Sequence, residues 1–376
     1  MNNQLQAARG SPRLAILCWI AVAAVLAATL WPFNPFPPNR VRWLRDPDGI
    51  AFDGAGLVIS NASLRVAENT LTQSCSLEIL LRPAAVTSLY TILNFYTPNN
   101  PEQFLVRQWT DGLLVSHDFV DATGKVKRKK FDVDHAFQTG KLLLITIVSG
   151  ANGTTVYSNG QVARFLPRFS ISLSELSGQI VLGTSSVDYQ PWAGEVRGLA
   201  IYSTGLTAEQ VLNHYERWTG RPEPILASPL DLSGVVAFYS FNERTGQEIH
   251  NAAAAAPDLE IPKHFAVPHK ALLKSPIKEF HANWDYVKDV VFNVAGFVPL
   301  GVILCAYFAL ARSRVQTILY ATLGGGMLSF AIEVLQAYIP QRVSGMTDII
   351  TNTLGAAIGA LLARPSSIRR LLVRKL

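Results

Sequence analysis

The sequence predicts a mixed protein in which a transmembrane bundle of four α-helices carries an antiparallel β-sandwich outside the cytoplasm. Apolar stretches lie near both ends of the 376-residue chain, and short runs that alternate between apolar and polar residues fill its middle. Hydrophobic residues make up 49% of the sequence and charged residues only 16%. That charged fraction is low for a soluble protein, and the length leaves room for more than one domain.

Four apolar stretches are predicted to span a membrane, since a helix needs about 20 apolar residues to cross a bilayer core. They are residues 14–31, 289–311, 315–339 and 348–363. A cleaved secretory signal is the alternative for the first stretch, but the apolar core of such a signal has only about 7–15 residues. The aromatic and proline-rich sequence after Trp31 is typical of a membrane interface, so we interpret the first stretch as an uncleaved anchor.

Basic residues predict the orientation of these helices. They lie before the first stretch, between the second and the third, and after the fourth, at Arg9, Arg13, Arg312, Arg314, Arg364, Arg369, Arg370, Arg374 and Lys375. Lys and Arg are enriched on the cytoplasmic side of membrane proteins. Residues 1–13 and 365–376 are therefore expected in the cytoplasm, with the large loop after the first helix outside it.

Charge and the usage of cysteine and histidine argue against several classes of function. The net charge is +6, but residues 40–285 hold 22 basic and 24 acidic residues, so the excess lies near the chain ends and no nucleic-acid partner is expected. The three cysteines show no spacing typical of a disulfide framework or a metal site. His264, His269 and His281 are spaced irregularly, which favours solvated histidines over metal ligands. No metal and no cofactor is predicted.

Residues 40–255 have the pattern of an antiparallel β-sandwich, because short strand-like runs alternate with Gly, Asn and Pro. Asn159-Gly160 predicts a tight hairpin turn, since both residue types tolerate positive φ. Thr207 and Gln210 form the Thr-x-x-Gln pattern of a capping box at the start of an amphipathic helix. Residues 256–284 are punctuated by proline and are predicted to form an extended linker.

Two segments of this region resemble a known fold. "VYSNGQ" and "WAGEVRGLAIYSTGLTAEQV" are similar to the hairpin and the following strand of the concanavalin A-like, laminin-G-like (LamG) jelly roll. The resemblance covers roughly residues 40–262 and implies a domain that binds sugars, proteins or calcium. "VVAFYSFNERTGQEIHN", residues 235–251, resembles the opening strand of such domains although it comes last, so a rearranged strand order and an ordinary closing hairpin are both compatible with it.

Polar residues in the last three predicted helices share faces with small residues. Residues three or four apart lie on one helix face, which groups Ser329 with Glu333 and Asn352 with Gly355. A third face of the same kind holds Asp285, Asp289, Asn293 and Gly296. Small residues let helix backbones approach closely, so these faces are expected to point inward and to meet near the outer membrane surface. The candidate binding residues, called the polar set below, are Asn293, Glu333, Gln336, Arg342, Asp348 and Asn352.

Glu333 is the strongest candidate in the polar set because it lies within an apolar run, where a charge is costly unless it is paired. Arg342 is the expected partner, and a protonated carboxyl group is the alternative if Glu333 is unpaired. The opposing interpretation of the whole set is that its members only hold helices together, with Asp348 as an N-terminal cap.

Three motifs in this part of the chain resemble the VanZ-like membrane family: "NVAGFVPLG" from Asn293, "EVLQAYIPQR" from Glu333 and "DIITNTLGAAIG" from Asp348. The resemblance covers residues 285–364 and carries over to Asn293, Pro299, Gly301, Glu333, Gln336, Arg342, Asp348, Asn352, Gly355 and Gly359. "ATLWPFNPF", residues 28–36, matches the end of the family's first helix. The resemblance thus implies a four-helix unit that the sandwich interrupts after its first helix.

Three classes of function follow. The first is an envelope protein that binds a glycan, a lipid-linked glycan or a glycopeptide, with a contribution to glycopeptide (teicoplanin-type) resistance or to envelope polysaccharide processes implied by the VanZ resemblance. The second is a membrane enzyme that uses Glu333 and Asp348 as acid and base on a lipid-linked substrate. The third is a structural or sensory anchor. The basic run in residues 124–131 predicts a solvated loop tip, with binding of anionic lipid or polymer as the alternative.

Overall fold

The structure, a computed structural model, describes residues 12–65, 74–120, 123–220, 234–253, 256–309 and 312–363. Most of the two predicted cytoplasmic ends, residues 1–13 and 365–376, therefore lies outside the described residues. The described chain forms two compact units. One, the sandwich, runs from Phe36 to Lys270, and the other, the helical unit, is built from the segments before Phe36 and after Lys270.

The sandwich consists of two antiparallel sheets and one helix. Its strands are β1 (Val41–Trp43), β2 (Ile50–Asp53), β3 (Val58–Ser60), β4 (Cys75–Pro83), β5 (Leu89–Thr97), β6 (Asn100–Trp109), β7 (Gly112–Val120), β8 (Val126–Val133), β9 (Leu143–Gly150), β10 (Gly153–Ser158), β11 (Gln161–Leu166), β12 (Gln179–Leu182), β13 (Ala193–Tyr202), β14 (Val235–Tyr239), β15 (Glu248–Ile249) and β16 (Leu259–Glu260). The first sheet has the order β1-β2-β13-β4-β9-β10-β11, with β14 beside β13, and the second has the order β15-β16-β3-β12-β5-β6-β7-β8.

The core lies between these two sheets, which confirms the predicted antiparallel sandwich. Alternate residues of each strand point inward, so that Leu77 and Ile79 of β4 meet Phe104 and Val106 of β6 in one buried cluster. The predicted hairpin turn is present between β10 and β11, with φ angles of 52° at Asn159 and 78° at Gly160.

The helix of the sandwich begins as the sequence predicts. It is α2 (Ala208–Thr219), since α1 (Pro12–Leu30) belongs to the helical unit and comes earlier in the chain. The Thr207 hydroxyl accepts a hydrogen bond from the Gln210 N–H (3.2 Å), and the Gln210 side chain accepts one from the Thr207 N–H (2.8 Å). This reciprocal pair satisfies two backbone donors of the first turn.

Two local predictions about the sandwich were wrong, and one of the two alternatives for its last strands is excluded. The expected linker from residue 256 begins inside the sandwich, because β16 pairs with β3 and Phe265 is buried in a satellite cluster. The segment after Val235 is not a closing hairpin, since β14 pairs with β13 in one sheet whereas β15 pairs with β16 in the other. The basic run is not a loop tip: from Val126 onward it forms the exposed edge strand β8.

The helical unit contains a short helix α3 (Pro276–Glu279) and the longer helices α4 (Trp284–Phe308), α5 (Arg314–Ala337) and α6 (Met346–Leu362), together with α1. Helix α1 packs against α4 and α5, and α4, α5 and α6 pack against one another. Leu30 of α1 shares a buried apolar cluster with Phe297 of α4 and Ile332 of α5. The segment before the sandwich and the segment after it therefore build one helical unit.

Helices α4 and α6 approach so closely that side chains are excluded at their contact. A Cβ atom at Gly355 of α6 would collide with the backbone carbonyl of Val294, and one at Gly359 would collide with that of Val298. Both glycines are buried, as their small-residue face predicts.

Two helices, α4 and α5, are long and apolar enough to cross a membrane, with mean hydropathies of 2.1 and 1.6 over their most apolar windows. Leu14–Leu30 and Met346–Leu362 are apolar but shorter. Large apolar side chains are exposed on the outer faces of all four helices, among them Trp19, Phe292, Met327 and Leu362.

Candidate functional site

The polar set lies where α5 ends, a loop of residues 338–345 follows, and α6 begins. Helix α5 ends at Ala337, and Gly345 is the N-terminal cap residue of α6. The segment around Lys274 holds this loop in place. The Lys274 N–H donates to the Ser344 carbonyl (2.9 Å), and the Lys274 carbonyl accepts from the Met346 N–H (3.0 Å). The backbone of the loop is therefore held in a fixed position, where its N–H groups can donate to side chains of the helices.

Glu333 binds this loop rather than an arginine. Its carboxylate is 1% exposed and accepts a hydrogen bond from the Gly345 N–H (2.8 Å). Among the described residues no ion pair joins Glu333 to Arg342, so the expected pairing was wrong. A carboxylate at the start of a helix is favoured by the helix dipole and by the free N–H groups of the first turn. Glu333 therefore caps α6 from the neighbouring helix.

Asp348 and Asn352 connect α6 to the other two helices. Asn293 of α4 donates from Nδ2 to Oδ1 of Asp348 (2.8 Å). Asn352 donates from Nδ2 to the hydroxyl of Ser329 on α5 (3.0 Å). The Asn352 Oδ1 atom is buried and has no hydrogen-bond partner among the described residues. Asp348 thus joins α6 to α4 and Asn352 joins α6 to α5, with Asp348 and Asn293 half-buried.

Gln336 and Arg342 bind the end of the first helix. The Gln336 amide donates to the Thr29 carbonyl (3.0 Å), and an Nη2 N–H of Arg342 donates to the Trp31 carbonyl (2.8 Å). These carbonyls lie at the C-terminus of α1, where backbone acceptors lack partners within the helix and a cation is favoured. Two members of the polar set therefore tie α1 to α5 and to the following loop.

Sequence reasoning missed Glu279, which lies at the end of α3. Its Oε2 atom accepts hydrogen bonds from the N–H and the hydroxyl of Thr347 (2.9 and 2.6 Å) in the first turn of α6. Two acidic residues from separate segments, Glu279 and Glu333, thus bind backbone donors at the start of α6. The available signal was the Ser275-Pro276 pair, since Ser before Pro is typical of a helix start and argued against an extended linker here.

The predicted inward face of α4 was wrong. Asp285, Asp289 and Gly296 are exposed, and only Asn293 of that face is partly buried. The face of α4 that packs inward instead carries Phe297, Leu300, Gly301 and Cys305. The first turn of α4 is polar on all sides, so its spacing gave no information about which face is covered.

No group of three or more His, Cys, Asp or Glu side chains in the described residues is arranged to hold a metal ion. The His264 ring packs against Phe36 and the His269 ring against Tyr96, with centroid distances of 6.0 and 6.5 Å. The chemistry available in the polar set is therefore that of carboxylates, amides and one guanidinium, which bind hydroxyl groups and other hydrogen-bonding ligands.

Comparison with protein families identifies both regions. Residues 232–370 match the model of the VanZ/LLP1 family, and residues 58–212 match that of the concanavalin A-like lectin/glucanases superfamily. The chain thus carries a VanZ-like region and a concanavalin A-like jelly-roll domain, as their motifs predicted. A search of curated proteins finds no match.

Solved structures similar to the chain are distant. A putative carbohydrate-binding protein from Bacteroides ovatus is 14% identical, with a TM-score of 0.39, and the match covers 58% of this chain and 61% of that protein. The ligand-binding domain of botulinum neurotoxin serotype D, in complex with N-acetylneuraminic acid, is 17% identical, with a TM-score of 0.34 and coverages of 48% and 45%. The chain therefore spans less than two thirds of the length of either protein.

Proposed function

We propose that this chain is a multi-pass protein of the bacterial inner membrane that binds an envelope glycan or a lipid-linked glycan. The observation that carries the proposal is the domain arrangement of the chain. A concanavalin A-like domain interrupts a helical unit whose later part is VanZ-like. A domain with a lectin-like fold and an apolar helical unit in one chain fit a ligand in which a glycan lies at the membrane, as in a lipid-linked glycan.

The distribution of side chains in the helical unit supports insertion into a membrane. Its large apolar side chains are exposed on the outside, while Glu333, Gln336 and Asn352 are buried. A soluble helical bundle has the reverse arrangement, because water favours polar outer faces. All four long helices, α1, α4, α5 and α6, are proposed to span the membrane.

The proposed topology places both termini in the cytoplasm and the sandwich outside it. Arg312 and Arg314 lie between α4 and α5, which supports a cytoplasmic position for that connection. Reporter fusions after Lys375 and within the sandwich test the topology. We expect a cytoplasmic reporter to be active after Lys375, and a reporter that works only outside the cytoplasm to be active in the sandwich. The reverse pattern contradicts the proposal.

Within the polar set, Asp348 and Asn293 are proposed to contact the ligand, whereas Glu333 holds the loop that borders them. The Asn293 amide donates one hydrogen bond to the Asp348 carboxylate, and both side chains are half-buried. Each group can therefore form further hydrogen bonds near the surface. A carboxylate paired with an amide can accept from and donate to neighbouring hydroxyl groups of a sugar or a lipid head group.

Binding by the full-length chain in lipid nanodiscs tests the proposal. The probe is a bacterial lipid-linked oligosaccharide, and the control is the same polyprenyl phosphate carrier without sugar. We expect saturable binding of the glycosylated lipid and weaker binding of the carrier. Equal binding of both lipids, or binding of neither, contradicts a glycan-binding function. A deletion strain assayed for teicoplanin-type tolerance and for surface polysaccharide then tests the proposed physiological role.

The burial and the backbone contact of Glu333 argue against the enzyme alternative in which Glu333 and Asp348 act as acid and base. A catalytic carboxylate must reach its substrate, whereas Glu333 is buried and bonded to the Gly345 N–H. The capping contact instead favours a positioning role for Glu333. The anchor alternative predicts that the polar set affects only the stability of the helical unit, and the binding measurements separate it from the proposal.

A further inference from the structure

The second sheet of the sandwich has one face that is polar yet largely buried. Strands β5, β6, β7 and β8 lie side by side, and their paired residues place Asn94, Leu105, Ser116 and Lys130 in one row. The neighbours of these residues along the strands, such as Phe104 and Val106, point into the core. Because side chains alternate between the faces of a strand, the row lies on the face away from the core.

Three buried polar atoms on this face lack hydrogen-bond partners among the described residues. They are Oδ1 of Asn94, Oγ of Ser116 and Nε of Arg107. Asn94 is 0% exposed and Ser116 is 3% exposed. A buried polar group without a partner costs about 1–3 kcal/mol, so several at one place call for a ligand or water that satisfies them.

An exposed aromatic ring lies on the same face. Trp109 is two residues after Arg107 on β6 and therefore points to the same side of the sheet. Its side chain is 58% exposed, although a large apolar ring is ordinarily covered. A flat indole beside unsatisfied hydrogen-bonding groups offers the apolar and polar contacts that one face and the edge of a sugar ring require.

Four fixed charges of this face are paired with one another, whereas Lys130 of the row is exposed to solvent. Arg107 binds Glu102 (2.5 Å), Glu102 also binds Arg128 (2.9 Å), and Arg128 binds Asp118 (2.7 Å). Two cations and two carboxylates therefore alternate in one network. No member of this network needs a charged ligand for neutralisation, which favours an uncharged ligand.

A segment that covers part of the sheet borders the row on the side of β5. The Ser186 hydroxyl and the Asn94 amide both donate to the Pro101 carbonyl, and the Thr91 hydroxyl donates to Oε1 of Gln190 (2.9 Å). The polar face thus has a rim formed by residues 184–190 and a floor formed by the strands.

We propose that this face is the saccharide-binding site of the sandwich and that it takes a neutral oligosaccharide, with Trp109 under one sugar ring and Asn94, Arg107 and Ser116 satisfied by sugar hydroxyl groups directly or through one water. The inference rests on the proposed glycan-binding function and adds the place, the residues and the charge class of the ligand. Water-mediated contacts are common in such polar sites and do not make them weak.

Calorimetry on the full-length protein in nanodiscs tests the site. The probes are β1,4-linked hexamers of N-acetylglucosamine and of glucose, and an anionic hexamer of galacturonate. We expect at least one neutral hexamer to bind more tightly than the anionic one, with an affinity that high salt leaves unchanged, since no ion pair forms with the ligand. Tighter binding of the galacturonate hexamer, or a strong dependence on salt, overturns the assignment of a neutral ligand.

Two variants locate the binding. Trp109→Ala removes an exposed ring and is expected to weaken binding by about tenfold or more, as for a central aromatic contact. The matched control is Phe165→Ala, which removes an exposed ring from β11 of the other sheet and is expected to leave the affinity unchanged. Equal affinities of Trp109→Ala and the wild-type protein overturn the inference while leaving the proposed function intact.

Ser116→Ala separates binding from folding. The Ser116 hydroxyl has no partner to lose in the described part of the protein, so its removal is expected to keep or raise the melting temperature. The same change is expected to weaken neutral-hexamer binding by about fivefold, as for one lost hydrogen bond. An unchanged affinity overturns the inference. If no hexamer binds the wild-type protein, this site is rejected, and only the additional failure of the lipid-linked oligosaccharide rejects the proposed function.

Discussion

In the described part of the chain, each of the two units buries one glutamate, and the two units satisfy it in different ways. In the sandwich, Glu78 of β4 is 0% exposed and binds three side chains. It accepts from the hydroxyls of Thr146 (3.0 Å) and Tyr202 (2.8 Å), and it faces Nδ1 of His214 on α2 (2.8 Å). Glu78 thus joins two neighbouring strands and the helix through a closed set of side-chain partners.

In the helical unit, Glu333 is equally buried but binds a backbone. Within the described residues its one hydrogen bond comes from the Gly345 N–H. Glu279 and Asp348 lie close enough to interact with it electrostatically, and both are acidic. A carboxylate with three side-chain partners stabilises a fold, whereas one with a single backbone donor beside other acids is a poor source of stability. Burial alone therefore does not distinguish a glutamate with a closed set of side-chain partners from one that binds a single backbone donor.

The largest effect on stability is expected from Glu78→Ala. The change leaves Tyr202 and His214 without their buried partner, which typically costs about 3–5 kcal/mol. Hydrogen exchange of strands β4 and β9 in the full-length protein measures the loss. The control is Glu248→Ala, an exposed residue of β15, which is expected to change the free energy of opening by less than about 0.5 kcal/mol. A loss below about 1 kcal/mol for Glu78→Ala contradicts its structural role.

A smaller but clear effect is expected from Gly359→Ala in α6. The new methyl group collides with the Val298 carbonyl, and such overpacking costs about 1–3 kcal/mol. The matched control is Gly296→Ala in α4, where a Cβ atom meets open space and the helix propensity of alanine favours the change by roughly 1 kcal/mol. Thermal denaturation in detergent compares the two variants. If both behave alike, close backbone packing does not stabilise the helical unit.

The smallest effect concerns an exposed pair of the sandwich, Asp111 and His135. The hydrogen bond from His135 lowers the pKa of Asp111 below its ordinary value of 3.8, and Asp111 raises the pKa of His135 above 6.5. The contribution of His135 to stability is fully present below pH 6.5 and is lost as the pH rises through its raised pKa in the folded protein. The contribution of Asp111 is fully present above pH 3.8 and is lost as the pH falls through its lowered pKa in the folded protein. The pair therefore contributes most between these two values.

His135→Asn tests this window. We expect the melting temperature of the variant to be lower than that of the wild-type protein at about pH 5. At about pH 8 the two melting temperatures are expected to be nearly equal. A histidine NMR titration of the wild-type protein checks the direction of the His135 shift. A difference between the proteins that is larger at the higher pH contradicts the assigned sign.

Sequence patterns predicted the elements well where the signal was local. Asn159-Gly160 and Thr207 predicted a turn and a cap because their chemistry acts within a few residues. Helix α4 was predicted to begin at residue 289 but begins at Trp284, since Asn283 caps it through the Tyr286 N–H (2.8 Å) and its first turn is polar. A criterion based on apolar length cannot detect a polar first turn.

The contacts made by the polar set were not predicted from the sequence. Helical spacing placed Glu333, Asp348 and Asn352 on packed faces because that spacing is fixed by the helix itself. The partner of Glu333 depends on the path of the loop before Gly345, and the contact of Glu279 with Thr347 depends on a segment 68 residues away in the chain. Neither geometry is encoded in a local pattern, so a charged partner was expected where a backbone N–H is found.

The most direct test of the account is the affinity of Glu333→Gln and Asp348→Asn for the lipid-linked oligosaccharide in nanodiscs, measured beside their melting temperatures. Gln keeps an acceptor for the Gly345 N–H, and Asn keeps one for the Asn293 amide, so both variants are expected to retain nearly the wild-type melting temperature. We predict that Asp348→Asn weakens binding by about tenfold or more and that Glu333→Gln weakens it less, because Asp348 is proposed to contact the ligand and Glu333 to position the loop. Wild-type affinity in both variants would show that the polar set only holds the helices together.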